Sequence, residues 1–206
     1  MAIASANIEQ HVAVPFVDLQ SQHRALAVEI RQAAENVLTD CNFILGRQVR
    51  EFEQVFSEYV GVAHAVGVSN GLDALRIALA ALDIGLGDEV IVPANTYIAT
   101  ALAVSALGAR VVLVDCDPAT YNLDPDKLER AVTSRTRVVI PVHLTGQPAD
   151  MAPILDFAER HSLQVVEDAA QAHGARYRGQ MCGSMGIAGC FRSIRRKTWA
   201  PPATAG

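Results

Sequence analysis

The chain has 206 residues, of which half are hydrophobic and 19% are charged, and its formal net charge is -5. This length can bury one sizeable core, and the mild excess of acidic residues argues against nucleic acid as the main partner. No apolar run reaches the roughly 18 residues that a membrane span needs, and the N-terminus lacks the pattern of a signal peptide. Four cysteines without CxxC spacing indicate free thiols in a reducing compartment. The sequence therefore predicts a cytoplasmic protein with no membrane span, and no metal site is expected.

Apolar residues first recur at helical spacing. Helices are expected over residues 22–38 and again up to Gly61, a glycine at the position that favours the end of a helix. Strands and helices then alternate. Strands are predicted at residues 64–68, 89–92, 110–114, 137–142 and 164–167, helices at 71–82, 97–107, 124–132 and 151–161, and a glycine-rich turn and strand at 183–191. This order predicts an α/β fold with a mostly parallel sheet and helices on both faces.

Two of the predicted strands lead into segments that could bind a ligand. Residues 69–73 (SNGLD) join a strand to a helix, and free N–H groups at the start of that helix could bind an anion. An ordinary turn capped by Asn70 explains the same pattern. Tyr97 follows the next strand and could offer its flat face to a planar ligand, or it could pack on its own helix.

Two carboxylates, Glu167 and Asp168, stand at the carboxyl end of the strand at 164–167. In open α/β sheets ligands bind at that end, and a carboxylate near the core needs a partner. Asp168 could pair with a protonated ring nitrogen, with the Gln171 amide nearby, or it could cap a helix. A structural role is favoured for His173.

The three strand ends together carry an anion-binding turn, an aromatic ring and a carboxylate. This combination suits a planar, phosphorylated heterocycle that contains nitrogen. It points to pyridoxal phosphate more than to a nicotinamide cofactor, because no G-x-G-x-x-G motif follows the first strand.

Several motifs extend this interpretation. They are PFVDL, FILG with FEQVFSEYVG, SNGLDALRIAL, DEVIVPANTYIATALAV, HLTGQPADM and VVEDAAQAHGA followed by GSMGIAGCF, and they span residues 15–191. In this order they resemble the DegT/StrS family of pyridoxal-phosphate-dependent sugar aminotransferases. The resemblance implies the large domain of the type I aminotransferase fold, with pyridoxal 5'-phosphate as cofactor. It also implies amino transfer from glutamate or glutamine to a nucleotide-linked keto-sugar, and a homodimer in the full-length family.

The resemblance gives roles to individual residues. Asp168 matches the residue that pairs with the pyridine nitrogen, and Gln171 matches the residue near the phenolic oxygen of the ring. Tyr97 matches the aromatic residue stacked on the ring. The backbone at Gly71 and Leu72 matches part of the phosphate cradle, although the family more often has a hydroxyl residue where Leu72 stands.

The tail departs from the family pattern. Suitable codons for residues 193–206, read one nucleotide out of register, spell FYPAKNLGAPGDGG, which is the continuation usual in the family. We therefore expect a frameshift after Phe191, a truncated chain and no C-terminal small domain. On this interpretation residues 1–191 form an incomplete cofactor-binding domain, and residues 192–206 form a non-homologous tail.

Two residues of this tail bear on the site. Lys197 falls at the position of the family's catalytic lysine, which forms a Schiff base with the cofactor, and it is also explained as a solvated lysine. Arg192 stands where the family usually has a serine that helps to bind phosphate.

Three other functions stay open on the sequence. The chain could be a catalytically inactive fragment of an aminotransferase, a pyridoxal-phosphate-dependent sugar dehydratase, or a nucleotide-binding regulatory relative. A histidine in place of the lysine would favour the dehydratase, and Lys197 does not supply it.

Overall fold

The computed structural model describes residues 18–192, which fall into two units. Helix α1 (Leu19–Asp40) lies in the first unit, and the second unit begins at Asn42. The α1 helix begins after Asp18, whose carboxylate accepts a hydrogen bond from the Ser21 backbone N–H at 3.1 Å. No residue of α1 is buried. The hydrophobic core therefore belongs to the second unit.

The second unit is built around one parallel sheet. The strands of this sheet are β1 (Glu89–Pro93), β2 (Arg110–Val114), β3 (Thr136–Val139), β4 (Gln164–Asp168) and β7 (Ala188–Cys190), and a separate hairpin pairs β5 (Arg176–Tyr177) with β6 (Gln180–Met181). The helices are α2 (Arg47–Val60), α3 (Gly71–Ala81), α4 (Ile98–Ser105), α5 (Met151–Arg160) and two 3-10 helices at Pro125–Arg130 and Leu144–Gly146.

The strand order of the sheet is β2-β1-β3-β4-β7, and all neighbours are parallel. Strands β2 and β3 lie on opposite sides of β1, so the direction in which strands are added reverses there. Open α/β sheets bind ligands at the carboxyl ends of strands next to such a reversal. The topology thus directs attention to the end of β1 and of the strands beside it.

Helices cover both faces of the sheet. On one face Val92 of β1 packs in a cluster with Leu79 of α3. On the other face Ile91 packs with Phe157 of α5 and Leu128 of the first 3-10 helix. Alternate residues of β1 thus enter opposite halves of the core, which explains why this strand is apolar at consecutive positions.

The predicted α/β class with helices on both faces is confirmed, and most predicted elements lie within three residues of their observed bounds. None of the helices in residues 18–192 is long and apolar enough to cross a membrane.

The strand predicted at residues 64–68 is wrong. This segment has no regular structure, and its Val66 side chain is 78% exposed. The Gly67 N–H donates a hydrogen bond to the Glu53 carboxylate of α2 at 2.7 Å instead of pairing with a neighbouring strand. Its valines have strand propensity but lack the buried surface on which that propensity depends.

One predicted helix differs in type, and one observed hairpin was not predicted. The helix predicted at residues 124–132 is a 3-10 helix, which begins after Asp124 with proline at its first position. The hairpin of β5 and β6 was not anticipated. It turns at Arg178 and Gly179, both of which have positive φ angles.

Candidate functional site

A pocket opens at the carboxyl ends of β1 and β4, within the second unit. It contains about 410 Å³ of empty space, a volume that includes the open solvent at its mouth. All five residues predicted to bind the cofactor line it: Gly71, Leu72, Tyr97, Asp168 and Gln171. Residues up to 100 positions apart in the chain therefore meet at one edge of the sheet.

Asp168 is the last residue of β4, and only 7% of it is exposed. Its Oδ2 accepts a hydrogen bond from the Thr100 hydroxyl at 2.9 Å, and its Oδ1 accepts one from the Ala170 N–H at 3.2 Å. Burial raises the pKa of this carboxyl above its ordinary value, although the two hydrogen bonds and the charge of Arg192 act in the opposite direction. Between β4 and β5 the chain forms turns and no helix, so the alternative of a helix cap at Asp168 is wrong.

The N-terminus of α3 forms another side of the pocket. Asn70 caps this helix, since its Oδ1 accepts a hydrogen bond from the Asp73 N–H at 2.9 Å. The N–H groups of Gly71 and Leu72 have no hydrogen-bond partner within residues 18–192. The helix cap and the anion-binding turn are therefore compatible, because these two free N–H groups lie at the N-terminus of the 11-residue helix, whose first two residues line the pocket.

Tyr97 immediately precedes α4, and 61% of it is exposed. The ring therefore does not pack into the core, and it lines the pocket instead. One turn further on, Thr100 is fully buried and joins Thr96 to Asp168 through its hydroxyl group. Sequence reasoning missed Thr100. Its position three residues after Tyr97, as the one polar residue among Ile98–Val104, was the available signal.

Gln171 lies three residues beyond Asp168 and is partly buried. Its Oε1 accepts a hydrogen bond from the Thr145 N–H at 2.7 Å. Thr145 has a φ of 57° and is followed by Gly146 with a φ of 87°, so this turn aims its N–H at Gln171. With Oε1 engaged, the Nε2 amide group is the part of Gln171 that remains to donate to a ligand.

Arg192, the first residue of the predicted tail, also lines the pocket. The Cζ atom of its guanidinium lies 5.4 Å from the centroid of the Tyr97 ring. The sequence identified Arg192 only as the replacement of a serine, and nothing in the local pattern indicated that its side chain would turn into the site.

The second carboxylate of β4, Glu167, does not face the pocket. It is fully buried, and its Oε2 lies 2.9 Å from Nε2 of His143, which is also fully buried. His143 Nδ1 accepts a hydrogen bond from the Ala149 N–H, so the imidazole carries its proton on Nε2. The Nε2–H group donates a hydrogen bond to the Glu167 carboxylate.

Three backbone N–H groups complete the environment of Glu167. Gly183 donates to Oε2 at 2.7 Å, and Met185 and Gly186 donate to Oε1 at 2.6 and 2.7 Å. Burial alone would raise the pKa of Glu167, but the hydrogen bonds outweigh it and the pKa lies below its ordinary value. Glu167 therefore acts as an ionised clamp on the turn that precedes β7.

Two other predicted residues have different outcomes. Lys197 lies outside the described residues. The His173 ring packs 5.3 Å from the Phe191 ring, and burial lowers its pKa, which agrees with the structural role expected for it.

The sequence from residue 24 to residue 198 matches the model of the DegT/DnrJ/EryC1/StrS aminotransferase family. The chain is 51% identical over 178 residues to the dTDP-3-amino-3,6-dideoxy-alpha-D-galactopyranose transaminase of Aneurinibacillus thermoaerophilus, with 86% of this chain and 49% of the relative covered. It is 50% identical to the UDP-N-acetyl-3-dehydro-alpha-D-glucosamine 3-aminotransferase of Acidithiobacillus ferrooxidans, with 88% and 49% covered. The chain thus spans about half the length of the curated relatives that it matches.

Solved structures agree with this assignment. The structure of DesV from S. venezuelae in complex with a ketimine intermediate has a TM-score of 0.81 at 51% identity and covers 83% of this chain and 46% of its own. NtdA from Bacillus subtilis, solved with bound cofactor PMP, has a TM-score of 0.77 at 38% identity and covers 82% and 39%. The family match extends over most of the chain and both similarities are well above 25% identity, so the chain belongs to the DegT/DnrJ/EryC1/StrS aminotransferase family.

Proposed function

We propose that this pocket binds pyridoxal 5'-phosphate and that the chain is the cofactor-binding part of a nucleotide-sugar aminotransferase. The observation that carries the proposal is the convergence, in one pocket, of a buried carboxylate, an amide, an exposed aromatic face and a helix N-terminus with two free donors. Each supports a different part of the same cofactor. The names of the relatives support a dTDP- or UDP-linked sugar as the substrate class.

The donors and acceptors of the pocket fit this cofactor. Asp168 is a buried acceptor whose pKa is raised by its burial, and a protonated pyridine nitrogen would give its carboxylate a cationic hydrogen-bond donor. The N–H groups of Gly71 and Leu72 suit a phosphate oxygen. Leu72 offers no hydroxyl, so the phosphate would rely on backbone donors at this position.

When bound, the cofactor supplies an electron sink for the bonds that are broken at the substrate carbon. The residues of the chain would bind and orient the cofactor. The Asp168 carboxylate would hold a proton on the ring nitrogen, and the hydroxyl of Thr100 orients that carboxylate. Tyr97 would cover one face of the ring, and the Gln171 Nε2 group would donate to the oxygen at the ring edge. Lys197 would provide the amine that holds the cofactor and moves a proton at its Nζ.

The remaining assignments are part of the same proposal. An amino acid, glutamate or glutamine, would be the nitrogen donor, a homodimer the working form, and the cytoplasm the location. We also propose that residues 1–191 form the cofactor-binding domain and that residues 192–206 differ from the family through a frameshift. Sequencing of the coding DNA across codons 188–206 tests this: if no single-base shift restores the family motif, the frameshift is wrong.

The cofactor is tested by adding pyridoxal phosphate to the purified chain and recording the visible absorbance of a covalent adduct that borohydride makes permanent. The chain contains two lysines, Lys127 and Lys197. Lys127 is bound elsewhere, since its Nζ lies 3.2 Å from the Asp124 carboxylate. The Lys127→Ala variant is therefore a matched control for Lys197→Ala.

We expect a band that persists in Lys127→Ala and disappears in Lys197→Ala. A band that disappears only in Lys127→Ala would refute Lys197 as the cofactor-binding amine. Reversible binding of the cofactor without any band would favour the catalytically inactive fragment. Tight nucleotide binding in a protein that does not bind the cofactor would favour the regulatory relative.

A further inference from the structure

The guanidinium of Arg192 lies in the pocket against the ring of Tyr97. Its Cζ atom is 5.4 Å from the centroid of the Tyr97 ring, a distance at which the negative face of an aromatic ring attracts a cation. Tyr97 is also the residue proposed to cover the cofactor ring. A cofactor ring that stacks on Tyr97 from the pocket would therefore compete with the guanidinium for this aromatic ring.

The aliphatic stem of Arg192 crosses the N-terminus of α3. A Cβ atom built on Gly71 would lie 2.8 Å from the Cβ of Arg192 and 3.2 Å from its Cδ. The stem thus runs in close contact with the first residue of α3, beside the N–H groups proposed for the phosphate. From there the side chain reaches across the pocket to Tyr97.

The Nε atom of Arg192 makes no hydrogen bond that would hold the guanidinium in this position. Nε is buried and has no hydrogen-bond partner among the described residues. The charge of Arg192 attracts the Asp168 carboxylate and acts against the effect of burial on the pKa of that group. Stacking and charge therefore hold the side chain, and a ligand that supplies both could replace it without breaking a hydrogen bond of Nε.

We propose that Arg192 occupies the ring position of the pocket in the ligand-free protein and that the cofactor binds only after this side chain has moved out. The inference rests on the proposed function. The guanidinium imitates the group that it excludes: it is planar and cationic, it stacks on Tyr97, and it is attracted to Asp168. Arg192 thereby sets the affinity of the pocket for its cofactor.

The test compares Arg192→Ser with the wild-type chain by equilibrium dialysis. Pyridoxamine 5'-phosphate is the probe, because it lacks the aldehyde that would react with amines, and pyridoxamine is its partner without phosphate. We expect both probes to bind the variant more tightly, by about five- to thirtyfold, the factor that corresponds to losing a partly desolvated cation–π contact. A gain shared by both probes places the competition at the ring and not at the phosphate.

Two further variants serve as controls. Arg178→Ser removes an equivalent contact outside the pocket, where the Arg178 Cζ lies 5.1 Å from the Tyr177 ring centroid, and it should leave both dissociation constants unchanged. Arg192→Lys keeps the charge and most of the stem but lacks the planar group, and we expect a smaller gain. It also keeps the test decisive if the serine variant does not fold, which circular dichroism would reveal.

Three outcomes would overturn the inference. If Arg192→Ser weakens the binding of pyridoxamine phosphate and leaves pyridoxamine unchanged, Arg192 is a phosphate ligand. If the wild-type chain binds the probes and the Arg192 variants bind them equally well, the side chain does not occupy the ring position, and the proposed function stands. If neither the wild-type chain nor any variant binds pyridoxamine phosphate, the proposed cofactor fails and this inference fails with it.

Discussion

The Glu167→Gln substitution tests whether the buried clamp beneath the pocket stabilises the fold. The wild-type carboxylate accepts four hydrogen bonds, from His143 Nε2 and from the backbone N–H groups of Gly183, Met185 and Gly186. A glutamine side chain replaces one oxygen by an NH₂ group. Two donors are then left facing another donor, whichever way the amide turns.

The magnitude follows from those two donors. Each buried group without a partner costs about 1–3 kcal/mol, so we expect the free energy of unfolding to fall by about 3–5 kcal/mol. The His143 ring cannot compensate by moving its proton to Nδ1, because that atom already accepts from the Ala149 N–H. For a slope of about 2 kcal/mol per M, the urea midpoint would fall by about 2 M.

Urea unfolding followed by circular dichroism measures this change, with Glu129→Gln as control. Glu129 is half-exposed in its ion pairs with Arg160 and His161, and its substitution should leave the midpoint almost unchanged. The pKa of Glu167 is lowered from its ordinary value of 4.5, so its contribution is present above that pH and is lost as the pH falls below it. The acid-induced loss of stability should therefore be weaker in the variant. A fall in midpoint under about 0.5 M at neutral pH would refute the clamp.

Three further results are expected. Asp168→Asn should raise the thermal midpoint of the ligand-free chain at neutral pH, because burial raises the pKa of Asp168 and its ionised form costs stability above that pKa. The same variant should bind pyridoxamine phosphate about tenfold more weakly in dialysis. An unchanged affinity would contradict the role of Asp168 at the ring nitrogen. Thr100→Val removes the hydroxyl that donates to Asp168, so the pH below which pyridoxamine phosphate binding weakens should move upwards; an unaltered pH profile would argue against Thr100 as the group that orients the carboxylate. Thiol labelling of the native chain should spare Cys182 and Cys190, which are buried and whose pKa values are raised to about 11 and about 12, and should modify the exposed Cys41; rapid labelling of all four cysteines before urea is added would contradict their burial.

Much of the sheet was predictable because its signals are local. The apolar run of β1 and the helix that begins at Gly71 both follow from composition and spacing. The candidate site was partly predictable for the same reason: Tyr97 and Asp168 stand at or beyond the ends of β1 and β4, and parallel strands bring such ends to one edge of the sheet. The strand predicted before Gly71 is absent, so Gly71 reaches the pocket as the first residue of α3.

Contacts between distant segments were not predictable in this way. Thr100 and Asp168 are 68 residues apart, and only the packing of α4 against the sheet joins them. Glu167 and Asp168 are adjacent in sequence, yet they point to opposite faces of β4 and meet different partners. The position of Arg192 depends on where the chain leaves β7, which composition does not specify. The strand predicted at residues 64–68 failed because the exposure of Val66 is a tertiary property.

The hydrogen bond from the Thr145 N–H to Gln171 Oε1 fixes which end of the Gln171 amide faces the pocket. Because this bond occupies the amide oxygen, the pocket presents a donor at Gln171, an acceptor at Asp168 and free N–H groups at the α3 N-terminus. These three groups differ in charge and in hydrogen-bonding role, so none of them can take the place of another. If the proposed cofactor binds here, turning it over or end for end would set donor against donor, so this arrangement favours a single orientation.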